Sequence, residues 1–299
     1  MVEMRGKTIL VTGGTGSFGK AFIKRILKEE PKKVIVFSRD EFKQSEMENE
    51  FADCRYMLGD VRDLARLRRV FAGVDIVIHA AALKQVPALE YNPTEAVLTN
   101  VDGAKNIVDA AIDCGVEKVV ALSTDKAVNP VNLYGATKLC AEKIFTAANA
   151  YNKTQFSCVR YGNVIGSRGS VIPFFQKLKE DGVKIFPITH FDMTRFWLTL
   201  DQAVQLVLDS LLYMGGGEIY VPRIPSMTIV DMARAVDPDC RVEQIGIRPG
   251  EKMHECLVSE DCANVYHIGE NGPYLAEPGY TSDTNDQWMT VDELRDIIC

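Results

Sequence analysis

The chain has 299 residues, 46% hydrophobic and 25% charged, the balance of a globular protein with one large domain or two lobes. Its net charge of −7 argues against broad nucleic-acid or anionic-membrane binding, which needs basic patches, while a few placed Arg and Lys still suffice for an anionic small molecule. No long apolar segment opens the chain and none nears the roughly 20 residues of a membrane span, so the expectation is a cytoplasmic protein without signal peptide or membrane contact. The eight cysteines show no CxxC spacing, which predicts reduced thiols and no metal site.

The first half alternates short apolar runs with helical patterns. "TILVTG" leads into "SFGKAFIKRILKEE", then "KVIVFS" and a charged helix to about Phe51. "CRYMLGD", "LARLRRVFAG" and "VDIVIHAAA" come next, followed by the helical "TEAVLTNVDGAKNIVDAAIDCG" and the strand "VEKVVALST". The strand runs are rich in Val and Ile without polar alternation, as in a parallel sheet buried on both faces. The prediction is an α/β fold, a Rossmann-type doubly wound parallel sheet. After Val164 glycine, proline and isolated aromatics become frequent. Residues 1–164 therefore read as a dinucleotide-binding domain. Residues 165–299 read mainly as a smaller, interleaved substrate lobe, with a segment near 216–222 returning to the sheet.

In "VTGGTGSFGKAF", Gly13, Gly16 and Gly19 stand between the first strand and the first helix. Glycines there let the backbone turn and approach a pyrophosphate, and the helix start supplies free N–H groups. Thr15, Ser17 and Phe18 complete this loop. At the end of the second strand, where an acid would favour NAD, the chain has Ser38 and Arg39. A hydroxyl with a guanidinium suits a 2′-phosphate, so NADP is expected; Asp40 keeps a ribose contact open. "LGDVRD" offers Asp60 to the adenine amine and Val61 to its ring. Ala80, Ala81 and Ala82 are small residues where the chain must pass close to the cofactor.

"STDKAVNPVNLYGATK" spans residues 123–138. Tyr134 and Lys138 are four apart, on one helix face, and a cation beside a phenol lowers its pKa. Tyr134 would be the base for a sugar hydroxyl that loses hydride to the nicotinamide, with Thr124 bonding the same hydroxyl. The glycine loop and this pair together resemble the extended short-chain dehydrogenases/reductases. Asp125 and Lys126 add an acid and a base. Oxidation of a sugar at carbon 4 acidifies the proton on carbon 5, so a base can remove it while an acid helps the carbon 6 hydroxyl leave as water.

The stretch "STDKAVNPVNLYGATKL", with "FSRDEFKQ", "AALKQVPALEYNP", "RYGNVIGSRGSVIPFF", "MTRFWLTL" and "IRPGEKMHE", resembles the UDP-N-acetylglucosamine 4,6-dehydratases. The likeness is strongest to the inverting type of the pseudaminic acid pathway, and runs from about Lys7 to about Val258. It implies that Lys126 is the base at carbon 5 and inverts that centre, and that Asp125 is the acid for water loss. Retaining relatives use an Asp-Glu pair instead. The resemblance places UDP among motifs carrying Arg160, Asn163, Arg168, Arg195, Arg248 and Glu251, where arginine can meet a diphosphate and a carboxylate can take ribose hydroxyls. Lys84 is expected at the substrate and Asn100 at a proton-relay water, each against a packing role. None of the four histidines has metal-ligand spacing, and His79 reads as a satisfied core residue. The region after Glu260 is shorter than is usual in the family. A homo-oligomer is expected, since this fold often pairs helices between subunits. A retaining dehydratase, a UDP-sugar 4-epimerase and a non-catalytic NADP-binding sensor are the alternatives.

Overall fold

The computed structural model describes residues 4–151, 153–167 and 170–298. The strands are β1 (Thr8–Thr12), β2 (Lys33–Ser38), β3 (Arg55–Leu58), β4 (Ile76–His79), β5 (Lys118–Leu122), β6 (Gln155–Val159), β7 (Asn163–Val164) and β8 (Ile185–Ile188). They continue with β9 (Thr194–Leu198), β10 (Ile219–Tyr220), β11 (Ser226–Thr228), β12 (Arg241–Gln244), β13 (Cys256–Val258), β14 (Val265–Gly269), β15 (Gly272–Leu275) and β16 (Tyr280–Thr281). The α-helices are α1 (Ser17–Ile26), α2 (Glu41–Glu48), α3 (Leu64–Phe71), α4 (Val86–Tyr91), α5 (Pro93–Ala96) and α6 (Gly103–Cys114). α7 (Leu133–Ala147), α8 (Val171–Glu180), α9 (Leu200–Tyr213), α10 (Ile229–Val236) and α11 (Val291–Ile298) follow.

The fold is the expected doubly wound α/β sheet. Its order is β3-β2-β1-β4-β5-β6-β10-β14-β15. Each neighbouring pair is parallel except β14 with β15. The chain winds outward from β1 in one direction and from β4 in the other, and the reversal opens a crevice at the carboxyl ends of the strands. Every residue of β1 is buried, because helices cover both faces and leave no wet side for a polar residue. One face packs Phe22 of α1 and Leu211 of α9; the other packs Phe71, Ile107 and Phe145 of α3, α6 and α7. A third core around Trp197, Phe175, Phe186 and Met232 holds the C-terminal elements together. β10 lies between β6 and β14.

The helix expected from Thr94 to Gly115 is interrupted. Between α5 and α6 the residues Val97–Asp102 form a π-helical turn. The wider turn lets buried Asn100 reach across: its Oδ1 accepts from Leu83 N and its Nδ2 donates to Leu83 O, both at 2.9 Å. A π-bulge of this kind often marks a functional site.

Candidate active site

The crevice is a groove of about 830 Å³. Its floor is the β1–α1 turn. Gly13 has φ +66°, and a Cβ there would meet Ala81 N at 2.8 Å and the Ala80 carbonyl at 2.9 Å. A Cβ on Gly19 would stand 2.5 Å from Gly14 Cα, so only glycine lets helix and strand meet this closely. Gly16 caps α1 without a side-chain bond, which leaves the first N–H groups of α1 for an anion. Thr15, Ser17, Phe18, Ser38, Arg39, Asp60, Val61, Ala80, Ala81, Ala82, Tyr134 and Lys138 line the groove with the three glycines. The buried hydroxyls of Thr99, Ser123 and Ser170 and the buried amide oxygen of Asn163 also face it without hydrogen-bond partners. Buried polar atoms seldom stay unpaired, so this groove is built for a polar ligand and a dinucleotide fits it.

One end of the groove lies where β2 meets α2. Asp40 caps α2 by accepting from Lys43 N at 3.0 Å, and its other oxygen takes Lys43 Nζ. That carboxylate is committed. Ser38, Arg39 and Lys43 all line the groove here. Lys43 was not singled out in the sequence, although its place three residues after Asp40 on a helix is a readable signal. Asp60 is held by Arg62 at 3.0 Å and Arg39 at 3.4 Å; burial alone would raise its pKa, but these bonds and charges lower it.

At the opposite end, buried Asp125 opens a single 3-10 turn after β5. Thr124 Oγ1 donates to Asp125 Oδ1 at 2.9 Å, and Lys126 Nζ donates to the same oxygen at 3.0 Å. The second carboxylate around Lys126 is Glu255, 3.2 Å away, the last residue of "IRPGEKMHE", to which the sequence reading gave no role. Burial disfavours the Lys126 cation, yet Asp125 and Glu255 outweigh it and raise its pKa. In this ion pair Lys126 holds the proton, so to act as a base it must first pass that proton to a neighbouring acceptor.

Tyr134 behaves differently from the sequence expectation. Burial pushes its phenol up to about 12, against the pull of Lys126 and of a hydrogen bond to Thr124. The lowering cation is Lys126 rather than Lys138, whose Nζ donates to Leu122 O at 2.7 Å inside the protein. Burial, partly offset by the charges of Cys158 and Glu142, lowers the pKa of Lys138. His79 is a core residue: its Nδ1 lies 2.8 Å from Thr12 Oγ1, and burial with the nearby Lys138 charge pulls it down to about 3.

The expected substrate residues divide. Lys84 and Asn163 line the groove. Arg195 does not; its guanidinium donates to the carbonyls of Thr194, Met253 and Lys252. Arg160 is spent on a buried pair with Glu142, at 3.0 and 2.7 Å, and on Leu257 O. Glu251 accepts from Arg248 N at 3.4 Å, while the Arg248 side chain is exposed on a loop tied to α7 by Asn132 Nδ2 and Gly250 O. Arg168 lies outside the described residues. The polar atoms of Asn100 bind Leu83 and, at 3.0 Å, Thr137 Oγ1, so this side chain joins α7 to the loop carrying Lys84. Among the described residues no His, Cys, Asp and Glu cluster could hold a metal ion, and no helix is long and apolar enough to cross a membrane.

Residues 9–271 match the family model of the polysaccharide biosynthesis proteins. The chain belongs to that family. It is 50% identical to the UDP-N-acetylglucosamine 4,6-dehydratase (inverting) of Campylobacter jejuni, over 98% of this chain and 97% of the relative. That alignment runs over 325 residues against 299 here, so the dehydratase carries insertions that this family member lacks. A UDP-glucose 4-epimerase of Rickettsia bellii is 43% identical over 98% of this chain and 95% of its own. The X-ray structure of Pen from Bacillus thuringiensis superposes with a TM-score of 0.88 at 37% identity, covering 99% of this chain and 98% of that one.

Proposed function

We propose that the chain is an NADP-dependent UDP-N-acetylglucosamine 4,6-dehydratase that inverts carbon 5. The observation that carries this reading is the Asp125–Lys126 pair, 3.0 Å apart, in contact with Thr124 beside Tyr134 and Lys138. The β1–α1 turn with Tyr134 and Lys138 would hold NADP, which when bound would supply an acceptor for the carbon 4 hydride and a donor for carbon 6. Tyr134 Oη accepts the proton of the 4-hydroxyl. A neutral Lys126 Nζ removes the carbon 5 proton, and protonated Asp125 gives its proton to the 6-hydroxyl, which leaves as water. This step regenerates the ion pair. Lys126 then protonates carbon 5 from the opposite face, and Asp125 regains a proton from Tyr134 by way of the Thr124 hydroxyl.

NADP rather than NAD is supported by Ser38, Arg39 and Lys43 and by the commitment of Asp40 to capping α2. Within this reading residues 1–164 hold mainly the cofactor and 165–299 mainly the UDP-sugar. Arg248 is the proposed diphosphate contact, with Lys84 and Asn163 at the sugar. The product would be a UDP-2-acetamido-2,6-dideoxy-4-keto-hexose of L-arabino configuration, for pseudaminic acid or a related glycan. A cytoplasmic homo-oligomer is part of the same proposal.

Incubation with UDP-N-acetylglucosamine in deuterated water, without added cofactor, should give a 4-keto-6-deoxy sugar labelled at carbon 5 by NMR. Absence of both product and label sinks the reading. The 43% identity to an epimerase supports a second one, a UDP-sugar 4-epimerase; survival of the 6-hydroxyl and full turnover by Lys126→Ala would favour it.

A further inference from the structure

Glu255 immediately precedes β13 and has 3% of its side chain exposed. Its Oε1 stands 3.2 Å from Lys126 Nζ and 3.7 Å from Arg195 Nε. Its Oε2 lies 3.9 Å from Lys252 Nζ and has no hydrogen-bond partner. The backbone is locked by Ser282: Glu255 N donates to Ser282 Oγ at 2.9 Å, and Ser282 N donates to Glu255 O at 2.8 Å. Ser282 Oγ in turn lies 2.7 Å from Thr194 Oγ1 of β9. A buried carboxylate this firmly held is costly unless its charge is used or paired.

The pairing shows the use. If Glu255 only balanced Lys126, it would be left uncompensated whenever Lys126 was neutral. Arg195 at 3.7 Å and Lys252 at 3.9 Å give Glu255 two further basic neighbours that do not depend on the state of Lys126. Asp125 cannot play this part throughout, because it must hold a proton for the leaving water at the moment Lys126 takes one from carbon 5. We propose that Glu255 is a positioning residue for the base: it aims the Lys126 amine and stabilises the ammonium that forms as Asp125 carries its proton to the leaving water. This inference rests on the dehydratase reading. It follows the general logic in which a third group orients a base and stabilises its charged form. The other groups facing the pair are Tyr134 from α7 and Lys84 from the loop after β4; burial and the Lys126 charge pull the Lys84 amine below its usual value.

The test is steady-state kinetics of Glu255→Gln, which keeps size and loses charge. kcat should fall by about 10-fold or more, with KM for UDP-N-acetylglucosamine within about threefold. A less basic Lys126 becomes neutral at lower pH, so the acidic limb of the kcat profile should move down. The isotope effect with carbon-5-deuterated substrate should rise. Glu255→Asp keeps the charge but shortens the reach; its acidic limb should stay in place while kcat falls. Wild-type kcat, or a change confined to KM with an unmoved limb, overturns the proposal. Should Glu255→Gln fail to fold, Glu255→Asp decides, and wild-type kcat and KM there overturn it. A wild-type protein that does not dehydrate the substrate fails the functional reading and the proposal with it. A working wild type with an indifferent Glu255→Gln fails the proposal alone.

Discussion

At Lys126 one ammonium sits between two carboxylates, at 3.0 and 3.2 Å. Replacing it by Ala should lower dehydration by at least about 100-fold and abolish deuterium entry at carbon 5, read by NMR, while NADP still binds. Tyr134→Phe should lose turnover to a similar degree; retained turnover would show that another group takes the hydroxyl proton. Arg39→Ala should weaken NADP more than NAD, measured as the loss of the difference between their thermal shifts, since the guanidinium is proposed to meet the 2′-phosphate. His79 sets a pH dependence. Its native value of about 3 lies below the ordinary 6.5, so the unfolded chain binds its proton first. Its contribution is intact above pH 6.5 and is lost as the pH falls toward 3, at about 1 kcal/mol per pH unit. Urea midpoints should drop from pH 7 to pH 5, and a His79→Gln protein should show a flatter dependence. In the sequence the acid, the base and the tyrosine were readable as neighbours. The height of the Tyr134 pKa was not, because burial of a phenol is a property of the packed site.

Among the elements, the β1–α1 turn was the most legible. Its glycine spacing states a steric demand, and the positive φ of Gly13 with backbone 2.8 Å from a would-be Cβ is that demand met. Gly13→Ala should cost at least about 1–2 kcal/mol for the left-handed backbone and should abolish cofactor binding, read by urea denaturation and by titration. The helix before α6 was less legible. A continuous apolar period runs from Thr94 to Gly115, and nothing local marks the π-helical turn at Val97–Asp102. That turn is set by Asn100 bonding Leu83 and by the close approach of Gly103 to Val61, where a Cβ would stand 2.9 Å from Val61 Cγ2. Both partners are distant in sequence. The partners of the arginines were not legible either: Arg160 and Arg195, expected as anion contacts from their motifs, also bond buried acceptors, several of them distant in sequence.

In the whole molecule the last elements hold Glu255 against Lys126. β16 pairs with β13, and the Tyr280 hydroxyl accepts from Ile224 N at 3.1 Å and donates to Ile224 O at 3.0 Å. Tyr280→Phe leaves that buried N–H unpaired and should cost about 1–3 kcal/mol, measured by chemical denaturation, with a loss of activity as Ser282 and Glu255 loosen. β14 and β15 extend the main sheet from the C-terminal half, so this half is built into the parallel-sheet platform rather than standing apart from it.

The sequence by itself determined the sheet, the phosphate turn and the local acid–base pair, because each rests on a period or spacing between near neighbours. Only the tertiary structure decided what surrounds that pair. Glu255, Arg195 and Lys252 reach Lys126 or its partner from more than 60 positions away in the chain. The motifs that carry these residues are visible in the sequence, but their pairing with Lys126 depends on how β9, β13 and β16 pack together and is not spelled in the order of residues. The charge state of the base, and with it the chemistry open to the site, is settled there.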